Sequence, residues 1–139
     1  AGLAVLFVMA GLWVSGCSDG RPSRVPVSGQ VLIDGKPLAF GYVRFVPDDA
    51  RPSGGDIGPD GRFTLTCFDG SDGAVLGRHR VEVNAREQLG PTTACLHAPK
   101  KYLNVDTSDL EVDISGPTDS LLIELSWEGG QPFVEQHGR

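Results

Sequence analysis

No stretch of this 139-residue chain repeats its apolar residues at sustained helical spacing, which excludes helical bundles and alternating α/β folds. Positive charge is scarce. Twelve Lys and Arg stand against 18 Asp and Glu, for a net charge of −6. A phosphate backbone needs a dense Lys/Arg face, so nucleic acid is excluded as a partner. There is no His-Glu-x-x-His, and no Gly-x-Ser-x-Gly joining a strand to a helix. A Ser, a His and an Asp scattered through a chain of this length carry no catalytic information. A small β domain also offers little cleft in which to desolvate paired carboxylates. The chain reads as non-enzymatic, with no cofactor.

Charge is also missing from the first 14 residues, AGLAVLFVMAGLWV. That run falls short of the roughly 20 apolar residues of a membrane span and fits the h-region of a secretory signal. The chain begins with Ala, and no basic segment precedes the apolar run, so the leader is expected to be truncated at its start. Val14-Ser15-Gly16-Cys17 follows and resembles the bacterial lipobox, an aliphatic and two small residues before an obligatory Cys. The small residues let the extended segment enter a peptidase site, and the thiol accepts a diacylglyceryl group. The resemblance implies cleavage before Cys17, leaving it as the acylated N-terminus. Each buried methylene contributes about 0.8 kcal/mol and one acyl chain holds only marginally, so two or three make a durable anchor. The competing readings are an uncleaved anchor and an ordinary secretory signal with an incidental Cys. The lipobox reading places the protein on a cell-envelope membrane, on its non-cytoplasmic side. Residues 18–24 form a polar tether that reaches at most about 25 Å.

Period-two alternation starts directly after the tether. Val25, Val27, Val31 and Ile33 share one parity, with Gly29 between them. Asp34-Gly35-Lys36-Pro37 marks a turn in which Gly35 is at liberty to take positive φ. Val43 and Phe45 then face one way, and Tyr42, Arg44 and Val46 the other. Residues 48–55 read as a polar loop, and Pro59-Asp60-Gly61 as a tight turn. Phe63, Leu65 and Cys67 alternate with polar neighbours, as do His79, Val81, Val83 and Ala85. Leu110, Val112 and Ile114 form the next set, and Leu121, Ile123, Leu125 and Trp127 the last. With a short strand near residues 56–58 this predicts an all-β, seven-stranded β-sandwich. The expected boundaries are 1–16 for the leader, 17–24 for the lipidated Cys and tether, 25–128 for the sandwich, and 129–139 for a frayed tail.

Val27-x-Gly29-x-Val31-x-x-Asp34-Gly35-Lys36-Pro37-Leu38, Val43-x-Phe45, Asp60-Gly61-Arg62-Phe63-Thr64-Leu65 and Gly77-x-x-x-Val81 occur in that order. The set resembles the carboxypeptidase-regulatory-like domain, a transthyretin-like sandwich found in many small bacterial lipoproteins. The likeness covers roughly residues 25–85 and extends more loosely through Pro99-Lys100-Lys101-Tyr102 and Thr107-Ser108-x-Leu110. It implies a seven-stranded sandwich without enzymatic residues, acting as a structural or interaction module. The Cys67/Cys95 pair and the longer tail after Trp127 depart from the pattern.

Once Cys17 is acylated, two thiols remain, and an even count in an oxidising compartment suggests a Cys67–Cys95 disulfide. Loop-entropy models give such a closure about 3 kcal/mol. The alternative is two unpaired thiols, Cys67 being a small core residue by its parity. Cys67, His79, Cys95 and His97 are acceptable zinc ligand types, but only Cys95-x-His97 approaches a ligand-pair spacing, so no metal site is expected. His79 begins a strand, where an interior histidine is the ordinary outcome, and His137 lies in the tail outside any cluster. Asp69-Gly70-Ser71-Asp72-Gly73 has Gly where a calcium loop needs its fifth-position oxygen, and no closing Glu follows.

Residues 86–109 show no clear strand pattern, and connections that long are usually functional or hide an element. They hold His97, Lys100, Lys101 and Tyr102, a basic-aromatic spot on an acidic protein and the candidate surface contact. That spot would meet an envelope polyanion or partner protein; the structural alternative has Tyr102 capping the sandwich while the lysines face water. Two functions fit: a lipid-anchored, non-enzymatic envelope interaction or structural module, or a sandwich that binds carbohydrate or another small ligand. A metal-dependent enzyme fits least. The second function predicts a row of exposed aromatics, of which outward parity supplies only Tyr42.

Overall fold

Alternating β-branched and polar residues become strands through the described residues of the computed structural model, 21–136. The apolar leader and Cys17 lie outside that range, as does His137. The strands are β1 (Arg24–Val25), β2 (Val27–Ile33), β3 (Lys36–Pro37), β4 (Tyr42–Pro47), β5 (Ser53–Asp56), β6 (Arg62–Thr64) and β7 (Ala74–Val75). They continue through β8 (Gly77–Asn84), β9 (Arg86–Gln88), β10 (Thr93–Leu96), β11 (Glu111–Ile114), β12 (Thr118–Leu125) and β13 (Phe133–Gln136). One 3-10 turn, Lys100–Leu103, interrupts the series. Among the described residues no helix is long and apolar enough to cross a membrane.

Two sheets form an all-β sandwich. In the first, the order is β11-β8-β4-β5. In the second, β2 lies between β12 on one side and β3 and β6 on the other. A bridge between Gly54 and Thr66 joins the sheets along one border. The core fills the space between them: Val27, Val31, Phe63, Ile123 and Leu125 come from the second sheet, Val43, Phe45, Val81, Val83 and Ile114 from the first. Phe45 meets Phe63 with ring centroids 6.0 Å apart. Each such side chain contributes about 1.5–3 kcal/mol on leaving water.

The Asp34-Gly35 turn closes the β2–β3 hairpin with both residues at positive φ, 48° and 80°. That is the primed turn whose twist matches the strands it joins, and an Asp-Gly pair adopts it readily. β12 pairs with β2 in parallel, from Thr118 opposite Val27 to Leu125 opposite Ile33, and its register shifts between Thr118 and Leu121. The shift presses the Leu121 carbonyl into β2 at Gly29. A Cβ at Gly29 would lie 2.0 Å from that oxygen.

The described residues hold thirteen strands where the sequence predicts seven. Six of the expected strands are present as β2, β4, β6, β8, β11 and β12. The seventh lies earlier than expected, at Ser53–Asp56 instead of residues 56–58, within the segment read as a polar loop. Ser-Gly-Gly-Asp has no apolar alternation to reveal it. Main-chain pairing with β4 holds it, and Tyr42 lies so close over Gly54 that an added Cβ would meet its hydroxyl at 2.2 Å. Short β1, β3 and β7 are pairings at strand ends. β9, β10 and β13 make a separate three-stranded sheet, with β10 between the other two. Its strands come from the segment without strand pattern and from the tail. The tail is therefore not frayed over Phe133–Gln136: four consecutive residues pair with Thr93–Leu96.

Gly29→Ala is expected to destabilise the fold by about 3 kcal/mol, because the carbonyl it strikes belongs to a paired backbone and cannot rotate away. Urea denaturation of the two proteins measures the loss.

Candidate functional site

The sandwich has two unlike ends. β2 starts at Val27, beside the β1–β7 pair and the entry of the chain, and ends at Ile33 after seven residues. At about 3.3 Å per residue its ends lie roughly 20 Å apart. Near its start, β4 ends at Pro47 opposite His79 on β8. Near its finish lie the Asp34-Gly35 turn, the start of β4, the end of β8 and Ser126 after β12. The entry end is called proximal here, the other distal.

The proximal end is built around Phe68. The guanidiniums of Arg21, Arg24 and Arg51 lie 4.6, 4.8 and 4.9 Å from its ring centroid. Asp72 is turned inward. Its carboxylate accepts hydrogen bonds from the backbone N–H of Cys67 at 2.7 Å and of Phe68 at 3.1 Å, and pairs with Arg24 Nε at 2.8 Å. Burial would raise its pKa, but the backbone donors of Cys67, Phe68 and Asp69 and the Arg24 charge outweigh burial and hold it below the usual carboxylate range. Asp69 pairs with Arg21 at 3.3 Å. The loop that invites a calcium reading thus commits its inner carboxylate to its own backbone.

The two thiols are not joined; both are free. Cys67 is buried at the proximal end, its backbone carbonyl accepting from Arg51 Nε at 2.7 Å. Burial, with Asp72 beside it, pushes the Cys67 thiol up against the lowering pull of Arg24 and Arg51. Cys95 is half-buried on β10, opposite Val134 on one neighbour and Glu87 on the other. The expected disulfide fails because parity sends Cys67 into the sandwich core and β10 carries Cys95 off in the separate sheet. His79 is fully buried. Its Nε2 lies 2.7 Å from the Val75 carbonyl, which can only accept, so Nε2 carries the proton. Among the described residues no three His, Cys, Asp or Glu side chains are grouped to hold a metal ion.

At the distal end the structure gathers three members of the basic-aromatic spot and withdraws the fourth. Tyr102 is buried. Its hydroxyl accepts from the Ser126 N–H at 3.0 Å and donates to the Ser126 carbonyl at 3.3 Å. It caps the sandwich and cannot serve as a surface contact. Lys101 pairs with Glu128 at 2.7 Å, a hydrogen bond that raises its pKa, and Lys100 pairs with Glu135. His97 Nε2 meets Glu87 at 2.8 Å. Both lysines and the histidine of the spot therefore meet a carboxylate, two of these carboxylates coming from residues beyond Trp127.

Two grooves open beside this spot. One, of about 550 Å³, has Asp34, Lys36, His97, Trp127, Gln131 and Pro132 in its lining. The other, of about 410 Å³, has Phe40, Tyr42, Asp56, Asn84 and Arg86. Phe40 of the second meets His97 of the first with ring centroids 5.3 Å apart and planes tilted by 40°, so the grooves adjoin. Trp127 meets Phe133 edge-on at 6.2 Å. Sequence reasoning found Tyr42 but missed Phe40 and Phe133 as surface aromatics. Phe40 precedes Gly41, whose φ of 132° breaks the strand parity, and Phe133 lies in the segment read as tail. Comparison with family models, curated proteins and solved structures finds no match, so the site is read from its own geometry.

Asp72→Asn is expected to cost about 2 kcal/mol at neutral pH, through weakened bonds to two buried N–H groups and a lost partner for Arg24. A depressed carboxylate pKa stabilises above the ordinary value and loses that contribution as the pH falls through the folded one. The gap between variant and wild type therefore closes below about pH 4, as urea curves at successive pH values will show. A second expectation concerns the thiols. A maleimide added to native protein labels Cys95 before Cys67, and Cys67 reacts at the rate of local unfolding, as peptide mapping over time reports.

Proposed function

We propose that this chain is a lipid-anchored, non-enzymatic interaction module of a bacterial cell envelope, held by an acylated Cys17 and presenting its distal end away from the membrane. The observation that carries the reading is the polarity of the sandwich. The residues that follow the lipobox-like Val14-Ser15-Gly16-Cys17 enter at one end, and the aromatic grooves open at the other, roughly 20 Å along β2. The packing of Arg21 and Arg24 on Phe68 ties the incoming chain to the body. That contact keeps the linker after Cys17 short and the body close to its anchor. The Asp34-Gly35 hairpin and the buried Val43, Phe45, Phe63 and Leu65 support kinship with carboxypeptidase-regulatory-like domains, whose members act by contact.

Cys17→Ala is expected to move the protein from the membrane fraction to the soluble fraction when the chain is expressed behind a complete leader. Intact-mass measurement of the wild-type product should give a mature chain starting at Cys17 with its acyl chains added. An unmodified Cys17 in the membrane fraction would reject the anchor.

A further inference from the structure

We infer that the two adjoining distal grooves form one binding site for a neutral oligosaccharide, stacked on Phe40, Tyr42, His97 and Trp127. The inference goes beyond the anchoring reading and does not depend on it. Its first support is the exposure of the rings. Phe40, Tyr42 and Phe133 are 38%, 44% and 43% exposed, and Trp127 lies half-buried between Phe133 and the larger groove. Aromatic rings normally leave water, so the Phe40–His97 and Trp127–Phe133 pairs with Tyr42, gathered at one end of a small domain, need an explanation. A pyranose supplies one: its flat C–H face covers an aromatic ring while its hydroxyls reach outward to polar neighbours.

Those polar neighbours are present, and they are of the right kind. Asp34, Lys36 and Gln131 border one groove; Asp56, Asn84 and Arg86 border the other. Carboxylates accept hydrogen bonds from adjacent hydroxyls, a guanidinium donates to them, and a planar amide does both. Arg86, whose buried Nε has no hydrogen-bond partner among the described residues, brings the remainder of its guanidinium to the lining of the second groove.

Charge decides between neutral and ionic occupants. Each groove carries one acid and one base, Asp34 with Lys36 and Asp56 with Arg86, so neither has a net sign. The adjoining lysines are also matched, Lys100 by Glu135 and Lys101 by Glu128, and His97 meets Glu87. With acid and base equal in number, neither groove offers a polyanion a net positive charge, whereas an uncharged polyol needs none. The adjacency of the grooves across the Phe40–His97 contact then argues for several linked sugar units over one.

The test is calorimetric titration of the full chain, in a detergent without a sugar headgroup, with chitohexaose and cellohexaose as probes. At least one is expected to bind with a Kd of about 1 mM or tighter, nearly independent of salt. Trp127→Ala and Phe40→Ser should each weaken it about tenfold. Leu76→Ser, at the proximal end, should leave it unchanged. Backbone amide shifts of the wild-type protein give a readout that needs no variant: on adding the bound probe they should move at Phe40, Asn84, Arg86, His97 and Trp127. The inference is overturned by silence toward both probes at about 10 mM, a concentration at which millimolar binding is nearly saturated. It is equally overturned by shifts clustered elsewhere, or by binding confined to polygalacturonate and abolished by salt. Acylation of Cys17 does not enter this measurement, so its failure leaves the anchor reading standing.

Discussion

The contact on which the rest of this structure hangs is the approach of the Leu121 carbonyl to Gly29. β2 and β12 are separated by most of the chain, yet they run side by side in parallel over the length of β2. A parallel pair cannot be closed by a tight turn, so its loop entropy is met only when everything between has folded. The bulge in β12 needs a residue without a Cβ directly opposite, and Gly29 is that residue. With β12 seated, Ile123 and Leu125 join Val27 and Val31 in the core, and Ser126 arrives where the Tyr102 hydroxyl can hold it. Closure of the second sheet and construction of the distal end are thus one event.

The two ends of the sandwich differ in construction. The proximal end holds a carboxylate bonded to backbone, three guanidiniums around one phenyl ring, and little open apolar surface beyond Leu76. The distal end is assembled from segments far apart in sequence, namely the β2–β3 turn, the start of β4, the sheet of β9, β10 and β13, and the residues after β12. Balanced ion pairs rather than a core stabilise its surface, so its aromatic rings can stay partly in water. Exposed pairs of this kind contribute little individually, at most about 1 kcal/mol each. Their value here is to neutralise the grooves' surroundings.

The strand faces were legible wherever one side meets the core. Val27 and Val31, Val43 and Phe45, Phe63 and Leu65, His79, Val81, Val83 and Ala85 are all buried as their parity requires, because a pleated strand has only two sides. Ser53–Asp56 was not legible, since two glycines leave no side chain to alternate and the strand exists through main-chain bonds to β4. Nor was the separate sheet: β9 and β10 are short, half-exposed and paired with a strand near the end of the chain. The basic-aromatic spot was found as a group of residues but not as an arrangement. Glu87, Glu128 and Glu135, which neutralise it, are spread over β9, β13 and the turn after β12, and Tyr102 turns inward to Ser126.

By itself the sequence determined the all-β class, the inward face of the long strands and the Asp34-Gly35 turn, because each is a local property of neighbouring residues. Only the tertiary structure decided that Cys67 and Cys95 stay apart, that Phe40 meets His97, and that the last strand lies against β10. Those outcomes depend on how β-sheets place distant segments next to one another. Backbone hydrogen bonds are the same for every residue pair, so the choice of partner is written in no single stretch of chain.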